Sequence, residues 1–194
     1  NMLKKLKDLL TRKRLWPLVD VLIFILITYG FHLLYWEYNS EISGFALFND
    51  ITAWLAASVY IASSWIDSHI LGMDIVLYSK NIIHFNINNG VIIIEESCSG
   101  FKQMCQVLVL FLLFPGPWKY KLWYIPMGLV SMFLINIVRI VCLSIVIIHW
   151  PHQWDFIHMW VLRPFYYLVI FILWVVWVEK FGGIQMYFKE RQLK

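Results

Sequence analysis

Four apolar runs decide what this chain can become. They cover roughly residues 16–36, 101–114, 122–150 and 160–178. About 20 consecutive apolar residues match a hydrocarbon core about 30 Å thick, so runs of this kind are transmembrane candidates. Composition agrees. Hydrophobic residues make up 61% of the chain and charged residues 14%, against roughly a quarter charged in soluble proteins, which is too little to cover a water-facing surface. Soluble, disordered, collagen-like and disulfide-scaffold classes are excluded. The eleven Trp and ten Tyr suit a protein whose rings sit at membrane interfaces. The reading is an all-α polytopic membrane protein, a single integral membrane domain over residues 1–194.

The net charge of +4 is no nucleic-acid signal, because twelve of the sixteen Lys and Arg fall in blocks beside apolar runs. Lys4, Lys5, Lys7, Arg12, Lys13 and Arg14 precede the first run. Lys119 and Lys121 lie between two runs, and Lys180, Lys189, Arg191 and Lys194 follow the last. Such blocks stay in the cytoplasm. The basic tails 1–15 and 179–194 and the turn at 115–121 are therefore expected inside. No small-residue cleavage site follows the first run, which reads as a retained anchor. The 101–114 run is short and ends at Pro115-Gly116-Pro117. The 122–150 run would be roughly 43 Å long as a helix and must tilt or project.

Between the first and second runs lie two other elements. Residues 46–71 have helical spacing but carry Asn49, Asp50, Thr52, Ser58, Ser63, Ser64, Asp67 and Ser68. They form either a span packed through small residues or an amphipathic helix in the interface. Residues 74–96 are β-branched and aromatic, punctuated by Ser79-Lys80-Asn81 and Asn88-Asn89-Gly90, and read as a small β-meander. An open sheet cannot sit in lipid. Sidedness decides between the readings of 46–71. The first run exits outside and the 101–114 run enters from outside, so 37–97 begins and ends outside. The expectation is four full spans, an interfacial or re-entrant helix at 46–71, and an extracytoplasmic meander.

Three residues stand out on the outer side. Arg139 lies about 6 Å below the outer edge of the long run. A charge at that depth faces a polar interior and usually marks function, with a structural Arg as the alternative. Asn136 shares its face, one turn earlier. Cys98 sits among Glu95, Glu96, Ser97, Ser99 and Gly100 at the head of the 101–114 run, where the helix dipole and Lys102 favour a thiolate, although Glu95 and Glu96 oppose this. Ser97 or Ser99 is a candidate N-cap. Cys105 and Cys142 read as small buried hydrophobes. Of six histidines, His149, His152 and His158 fall at the outer level. His158 heads the last run, with Asp155 three residues before it to fix its tautomer. A thiol, an imidazole and a guanidinium on one face have the parts for nucleophilic acyl transfer. Arg163 is a rival cation.

These residues carry a resemblance. Glu96-Ser97-Cys98-Ser99-Gly100, then Asn136-Ile137-Val138-Arg139-Ile140, then His158 before a last aromatic span resemble the exosortase/archaeosortase family, over roughly residues 45–178. The resemblance implies a short bacterial-type member of a family of membrane cysteine transpeptidases. It implies nucleophile Cys98, general base and acid His158, and transition-state stabiliser Arg139, with Asn136, Asp155, Lys102 and Arg163 in supporting or substrate-binding places. The implied partners are membrane-anchored precursors with C-terminal sorting signals, cleaved at the outer face of the inner membrane. Sortase-like chemistry needs no metal or cofactor. The competing readings are a non-catalytic membrane scaffold, an extracytoplasmic thioester acyltransferase and a small-molecule transporter. The last usually shows inverted repeats and broken helices, which the sequence lacks.

Overall fold

A computed structural model describes residues 16–42 and 46–182. The basic segment 1–15 and most of the C-terminal one lie outside the described residues. The described chain runs α1 (Trp16–Ile42), α2 (Ala46–Trp65) with a π-helical turn Ile66–Ile70, β1 (Ile75–Tyr78), β2 (Ile82–Phe85) and β3 (Gly90–Ile93). A 3-10 turn, Glu96–Cys98, then leads into α3 (Phe101–Leu113) and α4 (Trp118–His149). After a short turn and the π-helical segment Ile157–Leu162, α5 (Arg163–Trp177) closes the bundle.

All four apolar runs are helical. Three continuous helices are long and apolar enough to cross a membrane: Trp16–Tyr35, Trp118–His149 and Pro151–Phe181. The fourth, α3, has 13 residues and is therefore about 20 Å long, against about 30 Å of hydrocarbon. Its ends explain its length. Gly100 starts it in the left-handed region at φ 78°, and Pro115 cannot continue it. Lys121, 4% exposed, donates from Nζ to the carbonyls of Leu112 (2.9 Å) and Phe114 (2.8 Å). It thus satisfies acceptors that the helix end leaves open.

The meander forms as expected. β2 pairs antiparallel with both β1 and β3, with Leu77 opposite Ile83 and Ile83 opposite Ile92. Period-2 alternation sends Ile83, Phe85 and Ile92 inward and leaves Val91 and Ile93 exposed. Asn88 anchors the second turn. Its Oδ1 accepts the Gly90 N–H and its Nδ2 donates to the Ile147 carbonyl at 2.6 Å.

The interior divides into two apolar cores. One packs Ile83, Phe85, Ile92 and Ile94 of the meander region on Ala56 and Val59 of α2 and on Ile140 and Leu143 of α4. The other joins Val107 and Phe111 of α3, Tyr124 of α4, and Ile170 and Trp174 of α5, with the Phe24 ring of α1 tilted against Trp174 at 4.7 Å between centroids. α2 and the π-helical turn after it bury Leu55, Ala56, Val59, Ser63, Ser64 and Asp67, while Trp54, Ile61 and Trp65 stay exposed. Close approach of α3 to α4 needs Gly128, where a Cβ would fall 2.9 Å from Val107 Cγ1.

Candidate active site

The turn carrying Cys98 is built by local hydrogen bonds. The Cys98 N–H donates to the Glu95 carbonyl at 2.8 Å and the Ser99 N–H to that of Glu96 at 3.1 Å. The N-cap of α3 is Gly100, not Ser97 or Ser99; Ser99 Oγ, one residue earlier, accepts the Phe101 N–H at 3.3 Å. Gly100 is needed twice here. Its φ of 78° strains any side chain, and a Cβ would meet the Asn136 amide at 3.0 Å. That contact seats the turn on α4. Asn136, fully buried, donates from Nδ2 to the Cys98 carbonyl at 2.8 Å. The Cys98 side chain is partly buried, with Ser97 Oγ 3.8 Å from its sulfur.

One turn along α4 from Asn136, Arg139 Nη2 lies 2.6 Å from His158 Nε2. A guanidinium only donates, so Nε2 is the acceptor and the imidazole is the neutral Nδ1–H tautomer. Arg139 Nε is buried without a hydrogen-bond partner among the described residues. The guanidinium also lies over the Tyr166 ring, 5.7 Å from its centroid. The Tyr166 hydroxyl donates to Asn136 Oδ1 in a short contact. His158 stacks on Trp154 at 6.0 Å.

The structure therefore joins Arg139 directly to His158, and ties Cys98 to the same turn of α4 through Asn136. Among the described residues no hydrogen bond links the Cys98 sulfur to His158, or Asp155 to His158. Asp155 is exposed and acts on the ring only through its charge. Arg139, not Asp155, sets the tautomer. Lys102 and Arg163 belong to a separate cationic patch. Lys102 Nζ lies 3.5 Å from His32 Nδ1 and 5.0 Å over the Tyr35 ring. Arg163 is exposed and close enough to act electrostatically on Lys102 and His158. Beside the Cys98 turn, an open groove of about 450 Å³ runs between Ala53 and Ala56 of α2, the β1–β2 turn at Lys80 and Asn81, and Glu95 to Ser97.

Tyr166 is the residue that sequence reasoning missed. It is one of several aromatic residues in an aromatic span, and nothing along the chain separates it from its neighbours.

The family model for transmembrane exosortase (Exosortase_EpsH) matches residues 16–179. The chain belongs to the transmembrane exosortase family. No curated protein and no solved structure matches it. The exosortase match takes in α1 to α5, the meander, and Cys98, Arg139 and His158. It supports a multi-pass membrane protein of protein-sorting transpeptidase type.

Proposed function

We propose that this exosortase-family chain is a membrane cysteine protease-transpeptidase. It cleaves the C-terminal sorting signals of exported, membrane-anchored precursors at the extracytoplasmic side of the bacterial inner membrane. The observation that carries the reading is the Arg139–His158 contact with a buried Arg139 Nε that has no partner among the described residues, one helical turn from the Asn136 that holds Cys98.

The chemistry follows from those groups. The Cys98 thiolate attacks the scissile carbonyl, and the charge that develops on oxygen is met by guanidinium donors. That thiolate forms as Arg139 turns toward the carbonyl oxygen, which releases His158 Nε2 to take the Cys98 thiol proton before the C–S bond forms. The resulting imidazolium returns the proton to the departing amine as the C–N bond breaks, leaving a thioester on Cys98 and a freed C-terminal helix. An amine or water then attacks the thioester, His158 accepts its proton, and the thiol is regenerated. Lys102 and Arg163, both cationic and near the site, are placed to hold substrate carboxylate or carbonyl groups.

The test is capture of the intermediate. A co-expressed precursor should form a hydroxylamine-sensitive adduct on Cys98, found by mass spectrometry. An adduct-free Cys98 alongside efficient cleavage would reject the mechanism.

A further inference from the structure

The contacts that fix Cys98 continue past Asn136 to a second helix. Tyr166, 2% exposed, reaches from α5 with its hydroxyl on Asn136 Oδ1, while Asn136 Nδ2 holds the Cys98 carbonyl at 2.8 Å. Chemistry allows only this orientation of the amide. The Cys98 carbonyl accepts and cannot donate, so it must face the NH₂ group; Oδ1, itself an acceptor, is left needing a donor. In a buried place only the Tyr166 hydroxyl supplies one among the described residues. The face of the same ring supports the Arg139 guanidinium. Tyr166 thus touches Arg139 directly and Cys98 through one intervening amide. The sharp approach of Gly100 to Asn136 leaves that amide little room to move without moving the nucleophile turn.

We propose that Tyr166 is a positioning residue for Cys98: its hydroxyl locks the Asn136 amide, and the locked amide holds the nucleophile turn in register with Arg139. The catalytic consequence rests on the proposed transpeptidase reading; the coupling to Cys98 does not. Tyr166→Phe separates the two parts of the side chain, keeping the ring beneath Arg139 and removing only the hydroxyl. Loss of that donor leaves Oδ1 buried and unsatisfied, so the amide rotates or flips and the Cys98 carbonyl is released.

The experiment uses the full chain in detergent micelles or nanodiscs and needs no substrate. Iodoacetamide alkylation of Cys98 is followed by mass spectrometry in wild type, Tyr166→Phe, Asn136→Ala and the double variant, with Cys105 as internal reference. Tyr166→Phe should slow Cys98 alkylation about 3- to 10-fold, the range that one hydrogen bond commands, and leave Cys105 unchanged. Asn136→Ala should slow it at least as much. Adding Tyr166→Phe to Asn136→Ala should cost nothing more, because the hydroxyl acts through the amide. Multiplying losses in the double variant would overturn the proposal. So would an unchanged Cys98 rate in Tyr166→Phe, or a Tyr166→Phe protein that unfolds below the assay temperature. In a precursor-cleavage assay Tyr166→Phe should lower kcat and spare KM. If alkylation shows the coupling but the wild-type protein cleaves no precursor, the transpeptidase reading fails and the positioning role stands.

Discussion

Arg139 and His158 hold each other at 2.6 Å, the guanidinium donating to imidazole Nε2. On the proposed chemistry, the cation and the base are thereby stored together and separate when substrate supplies an oxygen for Arg139. A flexible ammonium with a point charge cannot hold the imidazole and an oxyanion in one fork.

Arg139→Lys should therefore lose about 100- to 1000-fold in precursor cleavage, the usual cost of an oxyanion donor. The protein should still accumulate in the membrane. Cleavage rates normalised to immunoblotted protein give the answer, and near wild-type activity would remove Arg139 from the mechanism.

The three thiols should separate cleanly. Cys98→Ala is expected to abolish cleavage. Cys105→Ala and Cys142→Ala should keep most of it, since each side chain is only partly buried and close to Ala in volume. All three variants, assayed side by side on one co-expressed precursor, check this.

Two glycines should resist substitution for different reasons. Gly100→Ala forces a side chain into φ 78° and against Asn136; the backbone strain alone costs about 1–2 kcal/mol. It should also disturb Cys98. Gly128→Ala pushes a methyl into Val107 at 2.9 Å, an overpacking of about 1–3 kcal/mol, about two helical turns from Asn136 and away from Cys98. Thermal midpoints in detergent should fall for both, while Cys98 alkylation should change only for Gly100→Ala.

Sidedness can be read in intact cells. Single cysteines at Asn89 and Lys119 in a Cys98→Ser background should respond oppositely to an impermeant maleimide, the first labelled and the second spared. The reverse pattern would put the meander in the cytoplasm and reject the charge-based orientation.

Asp67 gives a pH dependence. It is fully buried between α2 and α4, accepts the Ser144 hydroxyl at 2.7 Å, and leaves Oδ1 without a partner. Burial pushes its carboxyl up to about 6 from 3.8, with the Ser144 bond opposing. The folded state therefore holds more protons than the unfolded one between those values. Stability from this group is full below about 3.8 and is lost as pH rises through about 6. The expected loss is on the order of 1–3 kcal/mol. Asp67→Asn should flatten the thermal-midpoint profile between pH 4 and about 8, and an equally steep profile would assign the dependence elsewhere.

Much of this architecture was legible from local pattern. The meander follows from β-branched alternation and from turns whose Lys80, Asn81 and Asn89 adopt positive φ. The helices follow from apolar length. The polar residues of 46–71 pointed to a helix with one accommodating side, and Ser64 and Asp67 are buried on it. What the pattern could not supply was contact between distant helices. Asn136 was visible beside Arg139 on one helix face, but its two partners come from residues 98 and 166. Asp155 stood at helical spacing from His158, yet that stretch is interrupted by π-helical turns, which carry Asp155 to an exposed place and leave the ring to Arg139. Lys121 was legible only as a basic residue of the 115–121 turn, and its fold over the end of α3, bonded to two carbonyls there, was not.

The shortness of α3 has a chemical consequence. Its head meets α4 at Asn136, about 20 Å short of the end of that helix at His149, and the residues just before Cys98, Glu95 to Ser97, are exposed and line the open groove. On the proposed reading, a thioester made there faces a groove that water and amines can both enter. Its fate is then set by which acceptor the groove admits and holds beside the acyl carbon.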